Sequence, residues 1–195
     1  MRVKIESRIK SIGTAVPAHH YKQDDLARWM HQRLEPQDER LGRLFNVLYK
    51  KTRIESRYSV LPDFNEQKRT SELFVESSQE PKVEERLRVY DREVLGLAEE
   101  AIRDCLEESQ LENITHLITV SCTGMSAPGI EIQLKQRLRL RASAQTHAVN
   151  FVGCYAFFPA LKMADAFCQT NPDAQVLIVC VELCTLHFQN KRSDD

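Results

Sequence analysis

The chain has 195 residues, of which 42% are hydrophobic and 28% are charged, and its formal net charge is −1. These values suit one soluble domain with a sizeable core, and they exclude the strongly basic composition of proteins that bind nucleic acid or a membrane surface. No apolar run is long enough to span a membrane, and the first residues lead into charged sequence, unlike a signal peptide. The six cysteines include no CxxC pair, so we expect no metal site and no disulfide framework. This use of cysteine favours a location in the reducing cytoplasm.

The first third of the chain predicts one strand and two helices. Residues 9–16 alternate loosely between apolar and polar side chains and end at Pro17, which favours a strand. A helix is expected from Gln23 to Leu34, and a second one over residues 38–50. Four apolar side chains of that second helix are predicted to face inward: Leu41, Leu44, Phe45 and Leu48.

The middle of the chain is dominated by one long predicted helix. Residues 62–80 are polar and are interrupted by turn-forming residues, which favours a loop with one candidate helix over residues 68–74. Pro81 is well placed to open a helix, and residues 82–106 combine a buried apolar stripe with a solvated charged face. Because we see no linker and no repeat, we expect one domain over residues 1–195.

After Asn113 the pattern changes to alternating strands and helices. Helices are expected over residues 130–138 and 155–168, and strands over 114–123, 146–152 and 176–183. Short apolar strands that alternate with helices are typical of parallel βαβ units, so the predicted fold class is α/β. His116, near the start of the first of these strands, is expected to be a hydrogen-bonded structural residue.

Cys154 is the candidate nucleophile. It follows Gly153 at the junction of a predicted strand and helix, where the chain must turn sharply. In the first turn of a helix, unpaired N–H groups and the helix dipole favour a thiolate, which is the reactive form of cysteine. The residues alone favour the alternative of a small buried cysteine at a tight junction, because free cysteine is often buried.

Lys51 is a candidate phosphate ligand in the basic segment 49–58, at the end of the second predicted helix. Its point charge suits phosphate. Cations also favour helix C-termini, however, so the residues alone favour a solvated helix end.

The run Gly153-Cys154-Tyr155-Ala156, with the Pro128-Gly129 loop before it and an apolar strand after it, resembles the type III polyketide synthases. This is the chalcone and stilbene synthase family, and the resemblance is greatest to its bacterial members. It covers nearly the whole chain but only the N-terminal half of the family's domain. It implies a thiolase-like αβαβα layered fold, here the N-terminal half only. Many members have two glycines where this chain has Phe157-Phe158, a departure that bears on pocket shape.

The resemblance also implies roles for single residues. Cys154 would carry the growing acyl chain as a thioester, and Lys51 would bind the phosphates of coenzyme A, although a second family arginine falls on Val47 here. Thr123 and Ala127 would line the substrate pocket, with Ala127 reaching the partner's pocket across a homodimer interface. The implied reaction is a decarboxylative Claisen condensation of malonyl-CoA with an acyl-CoA starter, with no metal and no organic cofactor.

The family's histidine and asparagine, which activate the thiol and stabilise developing charge, come from a C-terminal half that these 195 residues do not contain. We therefore expect this chain to be an incomplete, inactive half by itself. His187 matches no catalytic position, and Asn150 is expected to be structural. Two alternatives stay open: a ketoacyl-synthase III-like enzyme of fatty-acid synthesis, and a non-catalytic assembly subunit with a thiolase fold.

Overall fold

The computed structural model describes residues 6–33, 39–64, 71–74 and 80–189. The chain divides into two compact units. The sheet unit comprises Met1–Ala15 and Tyr90–Leu183, and the aromatic unit comprises Val16–Val89 and Cys184–Asp195. In chain order the elements are β1 (His19–Lys22), α1 (Gln23–Arg33), α2 (Glu39–Lys51), β2 (Ser56–Ser59), α3 (Val83–Cys105), α4 (Glu108–Leu111), β3 (His116–Ser121), α5 (Ile130–Arg137), β4 (Gln145–Asn150), α6 (Phe157–Thr170), β5 (Val176–Cys180) and a 3₁₀ helix (Cys184–His187).

The sheet unit is built on three parallel strands in the order β4-β3-β5. In the register, Ser121 of β3 pairs with Asn150 of β4, and Val120 pairs with Cys180 of β5. All six residues of the central strand β3 are buried, as expected for a strand covered on both faces. The prediction of parallel βαβ units and an α/β fold is confirmed.

Helix α6 packs on this sheet through a row of small residues. Ala156, Ala160 and Ala164 are buried against Ile118, Val120 and Val149, with Met163 and Phe167 partly buried beside them. Alanines at this spacing let the helix axis approach the strands closely while good helix formers keep it regular. The predicted helix is therefore confirmed, although it begins two residues later than expected.

The long helix α3 begins in the aromatic unit and continues into the sheet unit. Tyr90, Val94, Ala98 and Ile102 lie buried along it at helical spacing, which confirms the predicted stripe. The expectation that its charged residues are solvated is wrong for Arg86 and Glu99, which are buried. The Glu99 carboxylate is compensated by two guanidinium groups, those of Arg103 and Arg137.

Residues 9–16 do not form the predicted strand. This segment lies along α3 instead: a Cβ on Gly13 would come within 2.4 Å of the Ala101 carbonyl oxygen, and the Thr14 N–H donates to Asp104 Oδ2 at 2.8 Å. The backbone thus bonds to a helix side chain and not to a neighbouring strand. The apolar alternation faces outward, because Ile9 and Ile12 are exposed.

The core of the aromatic unit is a cluster of rings. Trp29 of α1 contacts Phe64, Phe74 and Phe188, with ring centroids 4.8 to 6.2 Å apart. Buried Arg86 donates to the carbonyl oxygens of Pro81, Leu186 and Phe188 and so fixes the segment that carries Phe188. Strands β1 and β2 pair antiparallel beside this cluster, His19 opposite Ser59.

Two predictions for the aromatic unit are wrong. Leu44 and Leu48 of α2 do not face inward but are 54% and 51% exposed, because the helix presents Gly42 and Tyr49 to α1. The side chains of Leu41 and Phe45 lie outside the described part. Of the candidate helix over 68–74, residues 71–74 form a bend whose backbone N–H groups bond to the Asp63 carboxylate, and residues 68–70 are not described.

Candidate active site

Three strand ends meet at the carboxyl edge of the parallel sheet, the edge at which ligands bind in open α/β sheets. Strands β3, β4 and β5 end at Ser121, Asn150 and Cys180. The backbone continues in register, since the N–H of Val181 donates to the carbonyl oxygen of Val120 at 3.0 Å. The residues that directly follow the strands, 122–129, 151–156 and 181–183, therefore form one edge of the sheet unit.

Cys154 lies on a tight turn between β4 and α6. The backbone passes through positive φ angles at Phe151 (57°) and Gly153 (98°), and the Gly153 carbonyl oxygen then accepts the N–H of Ala156 at 3.0 Å. The thiol is free and exposed. The buried-cysteine alternative is therefore wrong.

Cys154 also lies outside the first turn of the helix, where the sequence placed it. Helix α6 begins at Phe157, and its N-cap is Ala156, which has no side-chain capping bond. The residues from Gly153 to Ala156 are used to reverse the chain direction, so the helix starts three residues after the cysteine. Its dipole acts on the thiol over a greater distance than expected.

Cys122, the residue after β3, contacts the glycine that precedes Cys154. The Sγ atom of Cys122 accepts the N–H of Gly153 at 3.4 Å, and it lies 3.7 Å from the carbonyl oxygen of the same glycine. The end of β3 is thereby connected to the turn that follows β4.

Glu182, the second residue after β5, joins the third strand end to this group. Its carboxylate accepts the backbone N–H of Cys122 at 2.8 Å and the hydroxyl of Thr123 at 2.7 Å. The same hydroxyl accepts the N–H of Leu183 at 2.8 Å. The predicted pocket residue Thr123 is thus held by two hydrogen bonds, one of them charge-assisted.

The loop after Thr123 is supported from α3. A Cβ on Gly124 would come within 2.3 Å of the Tyr90 ring, so only glycine fits against this ring. Ser126 donates to the carboxylate of Asp91. Ala127, the other predicted pocket residue, is exposed further along this loop and precedes Pro128 through a cis peptide bond.

The edge also contains a thiol that is held in its protonated form. Burial of the sulfur, and secondarily the Glu182 carboxylate, raise the pKa of Cys180, although part of the residue remains accessible to solvent. Because the thiolate is the nucleophilic form, Cys180 is less reactive at neutral pH than a thiol with the ordinary pKa.

Large apolar side chains are exposed close to Cys154 in sequence and on the loop after β3. They are contributed by the turn, by the start of α6 and by the loop after β3: Phe151, Tyr155, Phe157, Phe158 and Met125. The rings of Phe157 and Phe158 meet edge to face, with centroids 5.8 Å apart. An apolar surface of this kind marks a binding site for apolar ligand or protein.

The remaining sequence candidates are not among the residues of this edge. Lys51 is the last residue of α2, in the aromatic unit, and is exposed. His116 is hydrogen-bonded to Thr115 Oγ1 through Nδ1 at 2.7 Å, which confirms its structural interpretation. No group of three or more metal-ligating side chains occurs within the described ranges.

Two residues of this edge, Cys122 and Glu182, were missed by the sequence reasoning. A signal for Glu182 was present, since it is an acidic residue near the end of the otherwise apolar predicted strand 176–183, and the carboxyl end of a parallel strand faces the ligand-binding edge. No local signal distinguishes Cys122 from a buried strand cysteine, because its partner Gly153 is 31 residues away.

Residues 2–195 match the sequence model for the N-terminal domain of chalcone and stilbene synthases. The chain belongs to this family. It is 27% identical over 186 residues to type III polyketide synthase C of Arabidopsis thaliana, covering 94% of this chain and 48% of that protein. It is 29% identical over 188 residues to a putative chalcone synthase of Bacillus subtilis, covering 93% of this chain and 48% of the relative.

Solved structures of type III polyketide synthases share the fold. The C-terminal domain of Steely1 from Dictyostelium aligns with a TM-score of 0.78 at 21% identity, over 94% of this chain and 49% of that one. Tetrahydroxynaphthalene synthase of Streptomyces coelicolor aligns with a TM-score of 0.74 at 24% identity, over 93% and 49% of the two chains. The chain therefore spans about half the length of the relatives it matches, and the predicted thiolase-like fold is confirmed.

Proposed function

We propose that the protein takes part in a decarboxylative Claisen condensation of coenzyme A thioesters, with Cys154 as the acyl carrier. The observation that carries the proposal is the exposed thiol on a glycine turn at the carboxyl edge of the sheet, in a chain of this family. A free thiol on an exposed turn is accessible to a thioester carbonyl, and cysteine is a common nucleophile for acyl transfer.

The proposed chemistry has two steps. In the first, the Cys154 thiolate attacks the starter thioester, a new S–C bond forms, and the bond to the coenzyme A sulfur breaks. In the second, a malonyl thioester loses carbon dioxide, and the electron pair of the broken C–C bond attacks the acyl carbon. Cys154 then leaves as a thiolate and can accept the next acyl group.

We propose that the catalytic base and the groups that stabilise developing charge are not among the residues of this sheet edge. Residues 122–129, 151–156 and 181–183 contain no histidine, and the carboxylate of Glu182 already accepts two hydrogen bonds. The relatives are about twice as long as this chain. We therefore assign the histidine and asparagine of the reaction to a C-terminal half.

Lys51 is proposed to bind the phosphates of coenzyme A. It is exposed at the end of α2, and exposed Arg43, Lys50 and Arg53 lie close to it in sequence. A cluster of cations at a helix end offers several point charges to a polyphosphate. Because the Lys51 side chain is exposed, we expect its substitution to leave the fold intact. The proposal can therefore be tested by mutagenesis.

Thr123 and Ala127 are proposed to line the acyl pocket, and Ala127 to lie at a homodimer interface. The support for Thr123 is its position on the same sheet edge as Cys154, fixed by the Glu182 carboxylate. The support for Ala127 is its exposure on a loop held by Gly124 and Ser126. Malonyl-CoA and an acyl-CoA starter are the proposed substrates.

The test of this function is acyl capture. The protein is incubated with a long-chain acyl-CoA in the presence of a separately supplied C-terminal half of a relative, which provides the base, and the modified cysteine is mapped by mass spectrometry. We expect the acyl group on Cys154, its loss in Cys154→Ala, and full labelling of Cys154 in the matched control Cys168→Ala. An unlabelled Cys154 beside another labelled cysteine would contradict the assignment.

A further inference from the structure

We propose that Cys122 is a positioning residue: its thiol holds the Gly153 turn and thereby sets the position of the Cys154 thiol. The inference rests on the proposed role of Cys154 as acyl carrier and adds a residue to it. The two cysteines lie on residues that follow adjacent strands, β3 and β4, of the same parallel sheet.

The first support is that one side chain contacts both polar groups of one backbone residue. Cys122 Sγ accepts the N–H of Gly153 at 3.4 Å and lies within donor distance, 3.7 Å, of its carbonyl oxygen. The peptide units on both sides of the Gly153 Cα are therefore held by the same sulfur atom. A sulfur with a donor and an acceptor function can satisfy both groups.

The second support is the geometry of the turn. Gly153 has a φ of 98°, a conformation that L side chains rarely adopt, and a Cβ there would meet only the Tyr155 ring, at 3.9 Å. Glycine is thus required at this position because of the positive φ angle. An added Cβ would not clash with its surroundings. Glycine also has the greatest conformational freedom, so a turn that depends on it gains most from an external contact that holds it.

The third support is the way the contact reaches Cys154. The Gly153 carbonyl belongs to the peptide unit that contains the Cys154 nitrogen, and it accepts the Ala156 N–H at 3.0 Å. Fixing that carbonyl fixes the peptide plane from which the Cys154 side chain projects. Acyl transfer is sensitive to such placement, because the attacking atom must approach the carbonyl carbon along a narrow range of directions.

The position of the Cys122 sulfur atom is itself fixed by the backbone on which it is carried. Cys122 directly follows buried β3, and its N–H is bound by the Glu182 carboxylate at 2.8 Å. A chain of contacts therefore runs from the end of β5 through Cys122 to the turn after β4. Without the Cys122 thiol, the turn would be held by its flanking elements and its own internal hydrogen bonds.

The first experiment separates geometry from simple accessibility. With the same C-terminal half supplied to all variants, we expect acylation of Cys154 by an acyl-CoA to be about threefold to tenfold slower in Cys122→Ala, the effect of one hydrogen bond. Labelling of Cys154 by iodoacetamide, a small reagent that attacks from many directions, should change less than twofold. Cys122→Ser, whose hydroxyl can also donate and accept, should recover most of the acylation rate, and Cys168→Ala should match the wild type.

The second experiment tests the contact without any acyl transfer. Hydrogen exchange of the Gly153 amide, followed by NMR, should be about threefold to tenfold faster in Cys122→Ala and near wild type in Cys122→Ser. An unchanged Gly153 exchange rate would overturn the inference, as would unchanged acylation in Cys122→Ala or an acyl group found on Cys122. A wild type that is not acylated, with Gly153 exchange still dependent on Cys122, would instead overturn the acyl-carrier role and leave the positioning contact established.

Discussion

The Tyr90 hydroxyl donates a hydrogen bond to Ser121 Oγ at 2.8 Å, and both residues are buried. Ser121 is the last residue of β3, and Cys122 and Thr123 follow it. The ring of Tyr90 also fills the space beside Gly124. One aromatic side chain of α3 therefore supports the strand end and the loop on which the candidate site is built.

Tyr90→Phe tests this support. The substitution keeps the ring against Gly124 but leaves Ser121 Oγ without its buried donor. We expect a loss of about 1–2 kcal/mol in the free energy of unfolding, measured in urea. Tyr155→Phe, at an exposed position, is the matched control and should change stability by less than about 0.5 kcal/mol. Equal effects of the two substitutions would contradict a supporting role for the Tyr90 hydroxyl.

Iodoacetamide should label Cys154 before Cys122 and Cys180. Cys154 is exposed on its turn, Cys122 is engaged with Gly153, and the raised pKa of Cys180 disfavours its thiolate. Mass-spectrometric mapping after brief labelling at neutral pH measures the order. Faster labelling of Cys122 or Cys180 than of Cys154 would be inconsistent with the proposed nucleophile.

With a C-terminal half supplied to provide the base, Lys51→Ala should weaken the binding of coenzyme A thioesters and leave the turnover number nearly unchanged. A phosphate contact far from the reacting atoms stabilises ground and transition states equally, so its loss raises KM without lowering kcat. Lys10→Ala, another exposed lysine, serves as the control. If KM is the same in both variants, Lys51 is only a solvated helix end.

The stability of the sheet unit should fall as the pH is lowered below about 6.5, the ordinary pKa of histidine. His116 is stacked on Phe167 with centroids 4.3 Å apart, and Phe167 in turn stacks on His147. Burial, and then the nearby His147 and Arg141, lower the pKa of His116. The unfolded chain therefore takes up a proton at a higher pH than the folded chain does, and stability is lost as the pH falls towards the folded-state pKa.

Urea unfolding between pH 8 and pH 5 measures this dependence. His116→Gln removes the titrating group and should flatten the profile, whereas His31→Gln, at an exposed position of α1, should leave it as in the wild type. A profile that is equally steep in His116→Gln would show that another group is responsible.

Residues 1–195 alone should not condense acyl thioesters. Removing one oxyanion donor typically lowers the rate on the order of a hundredfold to a thousandfold, and absence of the base lowers it further. The measurement is product formation from malonyl-CoA and a long-chain acyl-CoA, with and without a separately supplied C-terminal half of a relative. Product from the 195-residue chain by itself would place the base among these residues and refute our assignment.

The three parallel strands and the helices α3, α5 and α6 were predictable because each combines an apolar pattern with a clear boundary. The six buried residues of β3 and the alanines of α6 follow directly from that pattern. Residues 9–16 were not predictable in the same way. Their alternation of apolar and polar side chains does not indicate whether the segment packs beside a strand or beside a helix. Their backbone bonds to Asp104 of α3 instead.

The choice of helix face shows a similar limit. An apolar stripe indicates which side of α2 is apolar but not which side is covered, and Leu44 and Leu48 are exposed. In the candidate site, Cys154 could be selected from the Gly153 junction and the family resemblance. The contacts of Cys122 and Glu182 depend on which strands are neighbours, and that information appears only once the β4-β3-β5 order is known.

The paired rings of Phe157 and Phe158 form an apolar surface to which a fluorescent dye can bind. The emission of the dye would then report whether this surface is covered. They are exposed at the start of α6, beside the turn that carries Cys154. Dyes such as anilinonaphthalene sulfonate brighten when they leave water for apolar surface. Any molecule that covers this helix start would displace the dye, so a change in emission would give an optical titration of whatever binds beside Cys154, without knowledge of the reaction.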